Sequence, residues 1–157
     1  MSLLATGGRT VPPDWIDYIG HMTDACYFVA FTEATEAFLD HLGLGERYRA
    51  ASGCGMYTVE SHLSFRASVR AGEVLAYDSH LLGADEKRLH VFHQMSQASS
   101  GTVAATCELL FLHVSIDTER VVPMPPGRWH AVARLATAQA GLAAPASAGR
   151  GIRLRRP

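Results

Sequence analysis

Several features that define whole classes of protein are missing from this 157-residue chain. No apolar run approaches the about 18–20 residues of a membrane-spanning helix, so no such span is predicted. The beginning of the chain has no basic stretch and only a very short apolar run, so we do not expect a signal peptide there. A net charge of −1 at pH 7 gives no electrostatic reason to bind nucleic acid or an anionic membrane surface.

Cysteine is also scarce. The three cysteines, Cys26, Cys54 and Cys107, are widely spaced and odd in number, which does not fit a disulfide framework or a zinc site. We expect reduced thiols in a cytoplasmic protein. His90 and His93 lie three residues apart on a predicted strand, so they face opposite sides and cannot chelate one ion. The sequence therefore predicts no metal and no other cofactor.

The chain does have the composition of one globular domain. Its hydrophobic fraction is 48% and its charged fraction is 18%, both ordinary for a folded protein. A chain of this length buries about 70% of its unfolded surface. We predict a single domain over residues 1–142. Residues 143–157 are expected to form a tail, because they begin with alanine, proline and serine and end with an arginine-rich stretch.

The first half of the chain is dominated by one helix. A short strand is expected at about residues 9–12, followed by a loop. A helix is then predicted from its N-cap, Thr23 or Asp24, to about Leu42. Its first two turns are apolar on every side, so we expect them to be buried all round. Gly43 fits a left-handed C-cap.

The second half has the period of β-strands. After a loop over residues 45–55, strands are predicted at about residues 56–69, 73–82, 88–98 and 102–116. The connections between them are short, so we predict hairpins and an antiparallel meander. A final helix is expected at about residues 127–140. This is an α+β architecture, in which the sheet curls around the one long central helix because nothing else can cover that helix.

The last long strand is apolar on both faces. One face carries Cys107, Leu109 and Phe111, and the other carries Leu110, Leu112 and Val114. The central helix can cover only one of them. Because an uncovered apolar face favours association, we predict a homo-oligomer, a dimer or tetramer, with its active sites at the subunit interface.

A lone carboxylate, Asp17, lies three residues before Gly20 and just ahead of the predicted helix. A carboxylate there can act as a nucleophile or as a base that activates water. Backbone amides around Gly20, Met22 and Asp24, at the helix N-terminus, can stabilise a negatively charged oxygen. His21 is a candidate either to orient the carboxylate or to bind substrate. A turn or capping role for Asp17, and a purely structural loop histidine, remain open.

Asp17 to Met22 reads Asp-x-x-Gly-His-Met and precedes an aromatic-rich helix, which resembles the active-site segment of hotdog-fold acyl-CoA thioesterases of the 4-hydroxybenzoyl-CoA thioesterase type. Tyr57-Thr-Val-Glu-Ser-His62 and Asp85-Glu-Lys-Arg-Leu-His-Val-Phe-His93 are similar to the betainyl-CoA branch of that superfamily, which is associated with carnitine and betaine breakdown. The resemblance implies the hotdog fold and a thioester hydrolase in which Asp17 and His21 are catalytic. Coenzyme A then enters only as part of the substrate.

Further residues are candidates for the substrate pocket. Polar side chains alternate along one predicted strand and are expected to share a face: Thr58, Glu60, His62 and Ser64. Of these, Glu60 and His62 are candidate pocket residues, and Glu60 is the second candidate for the catalytic carboxylate. A solvent-facing strand edge explains the same pattern.

Aromatic and basic residues complete the candidate site. The rings of Trp15, Tyr18, Tyr57 and Trp129 are candidate walls that would favour a quaternary ammonium acyl group through cation–π attraction. Lys87 and Arg88, at a predicted hairpin turn, are candidates for binding the phosphates of coenzyme A. Ordinary aromatic packing and exposed turn residues are the alternatives.

We therefore predict an acyl-CoA thioesterase that acts on a small acyl group, with betainyl-CoA as the candidate substrate. One alternative is a hotdog hydratase or dehydratase of 3-hydroxyacyl thioesters, which would need a histidine with an acidic partner. The other is a non-catalytic acyl-CoA-binding module, in which a desolvated carboxylate at Asp17 would have no purpose.

Overall fold

The computed structural model describes residues 2–154, and its largest element is a six-stranded antiparallel sheet. The strands are β1 (Leu4–Thr10), β2 (Cys54–Phe65), β3 (Val74–Asp85), β4 (Arg88–Gln97), β5 (Val103–Ser115) and β6 (Arg120–Val121). The helices are α1 (Asp24–His41), α2 (Glu46–Ser52) and α3 (Pro126–Gln139). No helix among residues 2–154 is long and apolar enough to cross a membrane.

Helix α1 begins after the N-cap Thr23, as predicted, and packs one side against the sheet. Its buried residues are Tyr27, Ala30, Phe31, Ala34 and Phe38. The expectation that the first two turns are buried all round is wrong for the single chain. Phe28 is 41% exposed and Val29 is 48% exposed, because the sheet covers only one side of the helix.

The strand order β1-β3-β4-β5-β2 differs from the predicted meander at one connection. The β3–β4 and β4–β5 hairpins are present, but β2 pairs with β5 rather than with β3. Residues 66–73 therefore cross over instead of forming a hairpin. The crossover is anchored by fully buried Val69, whose carbonyl accepts the amide of Met22 at 2.8 Å. Periodicity identifies strands, but it does not determine which strands pair.

Helix α2 lies where a loop over residues 45–55 was expected. Only Tyr48 of its seven residues is buried, so the segment has no periodic apolar pattern to predict a helix. Tertiary contacts hold it instead. The Tyr48 hydroxyl and the Nε2 atom of His113 on β5 form a hydrogen bond of 2.9 Å.

A series of hydrogen bonds through the buried His93 and Ser79, here called the core polar chain, links four elements: Thr35 on α1, His93 on β4, Ser79 on β3 and Thr6 on β1. The Nε2 atom of His93 lies 3.0 Å from Thr35 Oγ1, and its Nδ1 atom lies 2.7 Å from Ser79 Oγ. Ser79 Oγ in turn lies 2.9 Å from Thr6 Oγ1. Burial lowers the pKa of His93 from 6.5 to about 4.

Strand β1 runs very close to β3. The pairing register shifts between Ala5 and Gly8, so β1 contains an irregularity there. A Cβ atom added at Gly8 would lie 2.1 Å from the carbonyl oxygen of Leu75. Because backbone atoms cannot yield to such an overlap, only glycine fits at this position.

The segment after α3 returns to the sheet. The amide of Gly149 donates to both carboxylate oxygens of Glu108 on β5, at 3.0 and 2.8 Å. The face of β5 that was expected to need a second subunit is therefore covered in part by the chain itself. Of the arginine-rich end, Arg155 and Arg156 lie outside the described residues.

Candidate active site

Asp17 lies in a compact loop, residues 16–22, between a 3₁₀ turn (Pro13–Trp15) and α1. The loop is closed like a small hairpin. Its amide at Asp17 donates to the carbonyl of His21 at 2.9 Å, and the amide of Thr23 donates to the carbonyl of Trp15 at 2.9 Å. Gly20 turns the chain with φ 89°, a conformation that glycine adopts readily.

The two oxygens of the Asp17 carboxylate have different environments. Oδ1 accepts the amides of Ile19 at 2.8 Å and His21 at 3.3 Å, which is the turn-capping role. Oδ2 has no hydrogen-bond partner among residues 2–154. One carboxylate thus stabilises its own loop and still presents an oxygen for chemistry.

Beside this carboxylate is an open pocket of about 340 Å³. It is lined by Asp17, His21, Met22, Asp24, Tyr27, Phe65, Arg66, Ala67 and Ser68. Tyr27 and Phe65 pack edge to face with ring centroids 5.1 Å apart, which forms an apolar wall. Phe65 and Arg66 were not predicted as site residues, because they lie within the strand predicted at about residues 56–69 and carry no motif.

The amides available to an oxyanion differ from those predicted. The amide of Met22 donates to the carbonyl of Val69, and that of Gly20 donates to the carbonyl of Asp17 at 3.0 Å, so neither is free for substrate. The amides of Asp24 and Ala25, in the first turn of α1, have no acceptor in the part of the chain that the structure describes. They are the better candidates for binding a developing negative charge.

The predicted aromatic wall does not assemble within one chain. The Trp15 ring lies under the guanidinium group of Arg9, 4.0 Å from its central carbon, and is not among the residues lining the pocket. Tyr18 is 97% exposed at the tip of the loop. Tyr57 lines a different cavity, and Trp129 packs against the core.

Glu60 and His62 lie on the face of the sheet that is turned away from α1. They line a cavity of about 380 Å³ with His90, Glu108 and the segment 149–151. The predicted polar row is also interrupted. A bulge between Thr58 and Glu60 pairs Thr58 with Phe111 on the core face but Glu60 with Leu110 on the opposite face.

His90 and His93 face opposite sides of β4, as predicted. His93 is buried in the core, whereas the Nε2 atom of His90 lies 2.6 Å from Glu108 Oε1 in the outer cavity. Within residues 2–154 no three His, Cys, Asp or Glu side chains are grouped to hold a metal ion, and the three cysteines are free thiols.

Lys87 and Arg88 are at the β3–β4 hairpin, as predicted. Arg88 forms an exposed ion pair with Asp85, and the hydrogen bond from its guanidinium lowers the pKa of that carboxyl. The hairpin and the Asp17 pocket involve different strands, since the pocket borders the end of β2. The structure therefore groups Asp17, His21, Met22 and Asp24 at one pocket, with Gly20 in the same loop. The pocket does not include the predicted aromatic, strand and hairpin residues Trp15, Tyr18, Tyr57, Glu60, His62, Lys87, Arg88 and Trp129.

Comparison with known proteins identifies the family. The model of the Thioesterase-like superfamily matches residues 11–137. The chain belongs to this superfamily. The match confirms the resemblance inferred from the motif at Asp17 to Met22, and it confirms that this thioesterase is a hydrolase of thioesters.

Individual thioesterases are similar over the whole chain. The betainyl-CoA thioesterase of Pseudomonas aeruginosa is 40% identical over 152 residues, which cover 97% of this chain and 96% of that protein. The L-carnitine dehydrogenase/betainyl-CoA thioesterase of Ruegeria pomeroyi is 38% identical over 96% of this chain, which corresponds to 30% of the longer protein.

A solved structure gives the same picture of the fold. A hypothetical Staphylococcus aureus protein in complex with CoA superposes with a TM-score of 0.90 at 25% identity, covering 99% of this chain and 98% of the other. The predicted hotdog thioesterase fold, a curled antiparallel sheet with helices, is thereby confirmed for this chain.

Proposed function

We propose that this thioesterase hydrolyses a short acyl-CoA whose acyl group carries a quaternary ammonium, with betainyl-CoA as the first candidate. The observation that carries this substrate is the 40% identity to the Pseudomonas aeruginosa betainyl-CoA thioesterase over nearly the whole of both proteins. We also retain residues 1–142 as the catalytic domain and the cytoplasm as the compartment.

In the proposed reaction the free Oδ2 of Asp17 either attacks the thioester carbonyl or takes a proton from the water that attacks it. The carbonyl oxygen becomes negatively charged and is bound by the amides of Asp24 and Ala25. Collapse of this intermediate breaks the carbon–sulfur bond, and the coenzyme A thiolate leaves. When Asp17 attacks, this collapse leaves a mixed anhydride between its carboxyl and the acyl group, and water then hydrolyses the anhydride and regenerates the carboxylate. When water attacks, the collapse gives the free acid directly. In both cases the thiolate takes up the proton released from water, so the products are the free acid and coenzyme A, and no step uses a metal or a redox cofactor.

A second copy of the chain would complete the site. Strand β2 is at the edge of the sheet, and apolar residues are exposed along it and on the neighbouring face of α1. They are Phe28, Val29, Tyr57, Val59 and Phe65, each 41–48% exposed. A long apolar edge strand favours pairing with another chain. We propose a homodimer, or a tetramer built from it, that pairs β2 with β2 in antiparallel orientation.

This pairing would join two different cavities. The Asp17 pocket borders Phe65 at the end of β2, whereas a larger cavity of about 570 Å³ borders Tyr57 near its beginning. Because antiparallel pairing reverses strand direction, each Asp17 pocket would face the larger cavity of the other subunit. The second cavity carries the carboxylates of Glu36, Asp40 and Glu46 beside the Tyr57 ring.

An aromatic ring among carboxylates suits a trimethylammonium group. Each cation–π contact contributes about 0.5–2 kcal/mol, and about 1.4 kcal/mol corresponds to a factor of ten in affinity. We therefore expect kcat/KM for betainyl-CoA to exceed that for its uncharged analogue, 3,3-dimethylbutyryl-CoA, by about tenfold or more. Thiol release measures both. Equal kcat/KM values would contradict the preference for a cationic acyl group, but they would be compatible with thioesterase activity.

The assembly has its own test. Val59→Lys places a charge on the exposed edge of β2, so we expect sedimentation to show dissociation toward monomers, with activity lost in parallel. The matched control is Val74→Lys on β3, where the side chain is 51% exposed but the strand is paired on both sides. An active, stable monomer of the unmodified chain at micromolar concentration would contradict this proposal.

One observation favours the hydratase alternative. His90 and Glu108, 2.6 Å apart, are a histidine with an acidic partner in an accessible cavity. A hydratase would interconvert a 3-hydroxyacyl-CoA and the corresponding enoyl-CoA by removing or adding water, without releasing thiol. Following enoyl absorbance beside thiol release on a small acyl-CoA panel separates the two reactions. Absence of enoyl turnover, with thiol release intact, excludes the alternative.

A further inference from the structure

The contacts of Arg9 suggest a role that the motif at Asp17 did not reveal. Arg9 is on β1, its side chain is 28% exposed, and its guanidinium carbon lies 4.0 Å from the centre of the Trp15 ring. The same guanidinium forms an ion pair with Glu33 on α1. One side chain thus connects the first strand, the helix and the turn that leads into the Asp17 loop.

Trp15 occupies the base of that loop. Its carbonyl accepts the amide of Thr23, the N-cap of α1, and it is followed two residues later by Asp17. Another attachment of the loop to the body of the protein is the bond from the Met22 amide to the Val69 carbonyl. The side of the loop that carries Asp17 is held by Trp15 and Ile16, which both pack against the core, and Trp15 is held in addition by Arg9.

We propose that Arg9 and Trp15 form a clamp that positions Asp17 against the first turn of α1. The stack holds the planar ring in one orientation, and the ion pair to Glu33 holds the guanidinium over it. Neither residue lines the Asp17 pocket, so both act as positioning residues rather than as catalytic residues. This inference rests on the proposed role of Asp17, and it assigns Trp15 to loop geometry instead of to the acyl pocket.

The clamp predicts a particular kinetic signature. A carboxylate displaced by about 1 Å can lose up to about 10²-fold in rate while substrate binding is retained. We expect Trp15→Leu and Arg9→Met to lower kcat about tenfold each, with KM changed less than about threefold. Trp15→Phe keeps a ring for the guanidinium and should restore most of kcat. Arg134→Met, an exposed change on α3, is the matched control and should leave kcat unchanged.

The decisive experiment combines these changes with Asp17→Asn. If Arg9 acts through the Asp17 carboxylate, Arg9→Met should cost about tenfold in the unmodified chain and almost nothing in the Asp17→Asn background. An equal loss in both backgrounds, or a loss matched by a lower Tm, would mean that the clamp only supports folding. A raised KM with unchanged kcat for Trp15→Leu would return Trp15 to the substrate pocket. If Asp17→Asn itself keeps full activity, the proposed catalytic role of Asp17 fails instead, whatever Arg9 does.

Discussion

Two polar groups in this molecule contain residues typical of enzyme active sites, yet their surroundings are opposite. The core polar chain holds a serine and a histidine 2.7 Å apart, the spacing of a nucleophile and its base. Both side chains are fully buried, and both ring nitrogens of His93 have partners. The Asp17 carboxylate lies in a surface loop and leaves Oδ2 without a partner among residues 2–154.

The two groups differ in whether their hydrogen-bonding atoms are already occupied, and this distinguishes a structural polar group from one that can take part in a reaction. A buried group must have its hydrogen bonds satisfied, because an unpaired one costs about 1–3 kcal/mol. Once every partner is internal, no substrate atom can be bound. A loop carboxylate keeps unused bonding capacity because water can satisfy it until substrate arrives. Access and unused capacity, rather than residue type, distinguish the candidate active site.

The largest expected effect in this comparison is on turnover. Asp17→Asn keeps the shape of the side chain and removes its charge, so kcat should fall about 10²-fold or more while the fold is retained. Ser79→Ala should leave kcat within about twofold, because Ser79 cannot be reached by substrate. Thiol release and thermal melting on both variants make the test. Glu60→Gln should lower kcat much less than Asp17→Asn does. The reverse order would mean that Glu60, and not Asp17, is the catalytic carboxylate.

The next effect is on stability as a function of pH. The pKa of His93 is about 4 in the folded protein against an ordinary value of 6.5. As pH falls through this window the unfolded chain takes up a proton that the folded chain does not, so folding stability decreases. The stabilisation is complete above about pH 7.5 and is lost progressively as pH falls toward 4, with about 2 kcal/mol lost between about pH 7.5 and 5.

Denaturant unfolding at several pH values measures that loss. His93→Gln removes the titrating group, so the variant should show a flatter pH dependence than the unmodified chain across the same window. Identical slopes in the two proteins would show that His93 does not control acid stability. No matching change is expected in the pH profile of kcat, since His93 does not line the Asp17 pocket.

The smallest effect concerns one end of the core polar chain. Thr35→Val removes the hydroxyl that pairs with Nε2 of His93 and should cost about 1 kcal/mol of unfolding free energy, with kcat unchanged. Thr137→Val on α3 is a matched control, because its exposed hydroxyl donates to the carbonyl of Ala133 in its own helix, a bond that links no second element. We expect that control to stay within about 0.5 kcal/mol. Equal losses of unfolding free energy in the two variants would show that the hydrogen bond to His93 contributes no more to stability than a bond within one helix.

Local signals in the sequence predicted much of the fold. Neighbouring residues were enough to predict α1, because its N-cap Thr23, its apolar face and Gly43 are all local signals. The structure has α1 over Asp24–His41. The pairing of β2 with β5 was not predicted, because pairing depends on contacts between residues about 40–60 positions apart. The bulge between Thr58 and Glu60 reverses side-chain direction without any sequence signal of its own.

The candidate site divides in the same way. The motif at Asp17 placed one carboxylate and one helix N-terminus correctly, since both lie within a few residues of each other. Which amides are free could not be read from the sequence, because the amide of Met22 is occupied by Val69 from a distant crossover. The role of Trp15 likewise depends on Arg9, which lies on another element.

The close approach at Gly8 has a consequence for how this chain tolerates change. Gly8 immediately precedes Arg9, and β1 can lie against Leu75 only while position 8 lacks a side chain. In a saturation library, position 8 should therefore tolerate almost no replacement even though it is nowhere near the reacting atoms. Any rare survivor there should have β1 displaced from β3, and its defect should therefore resemble that of an Arg9 variant.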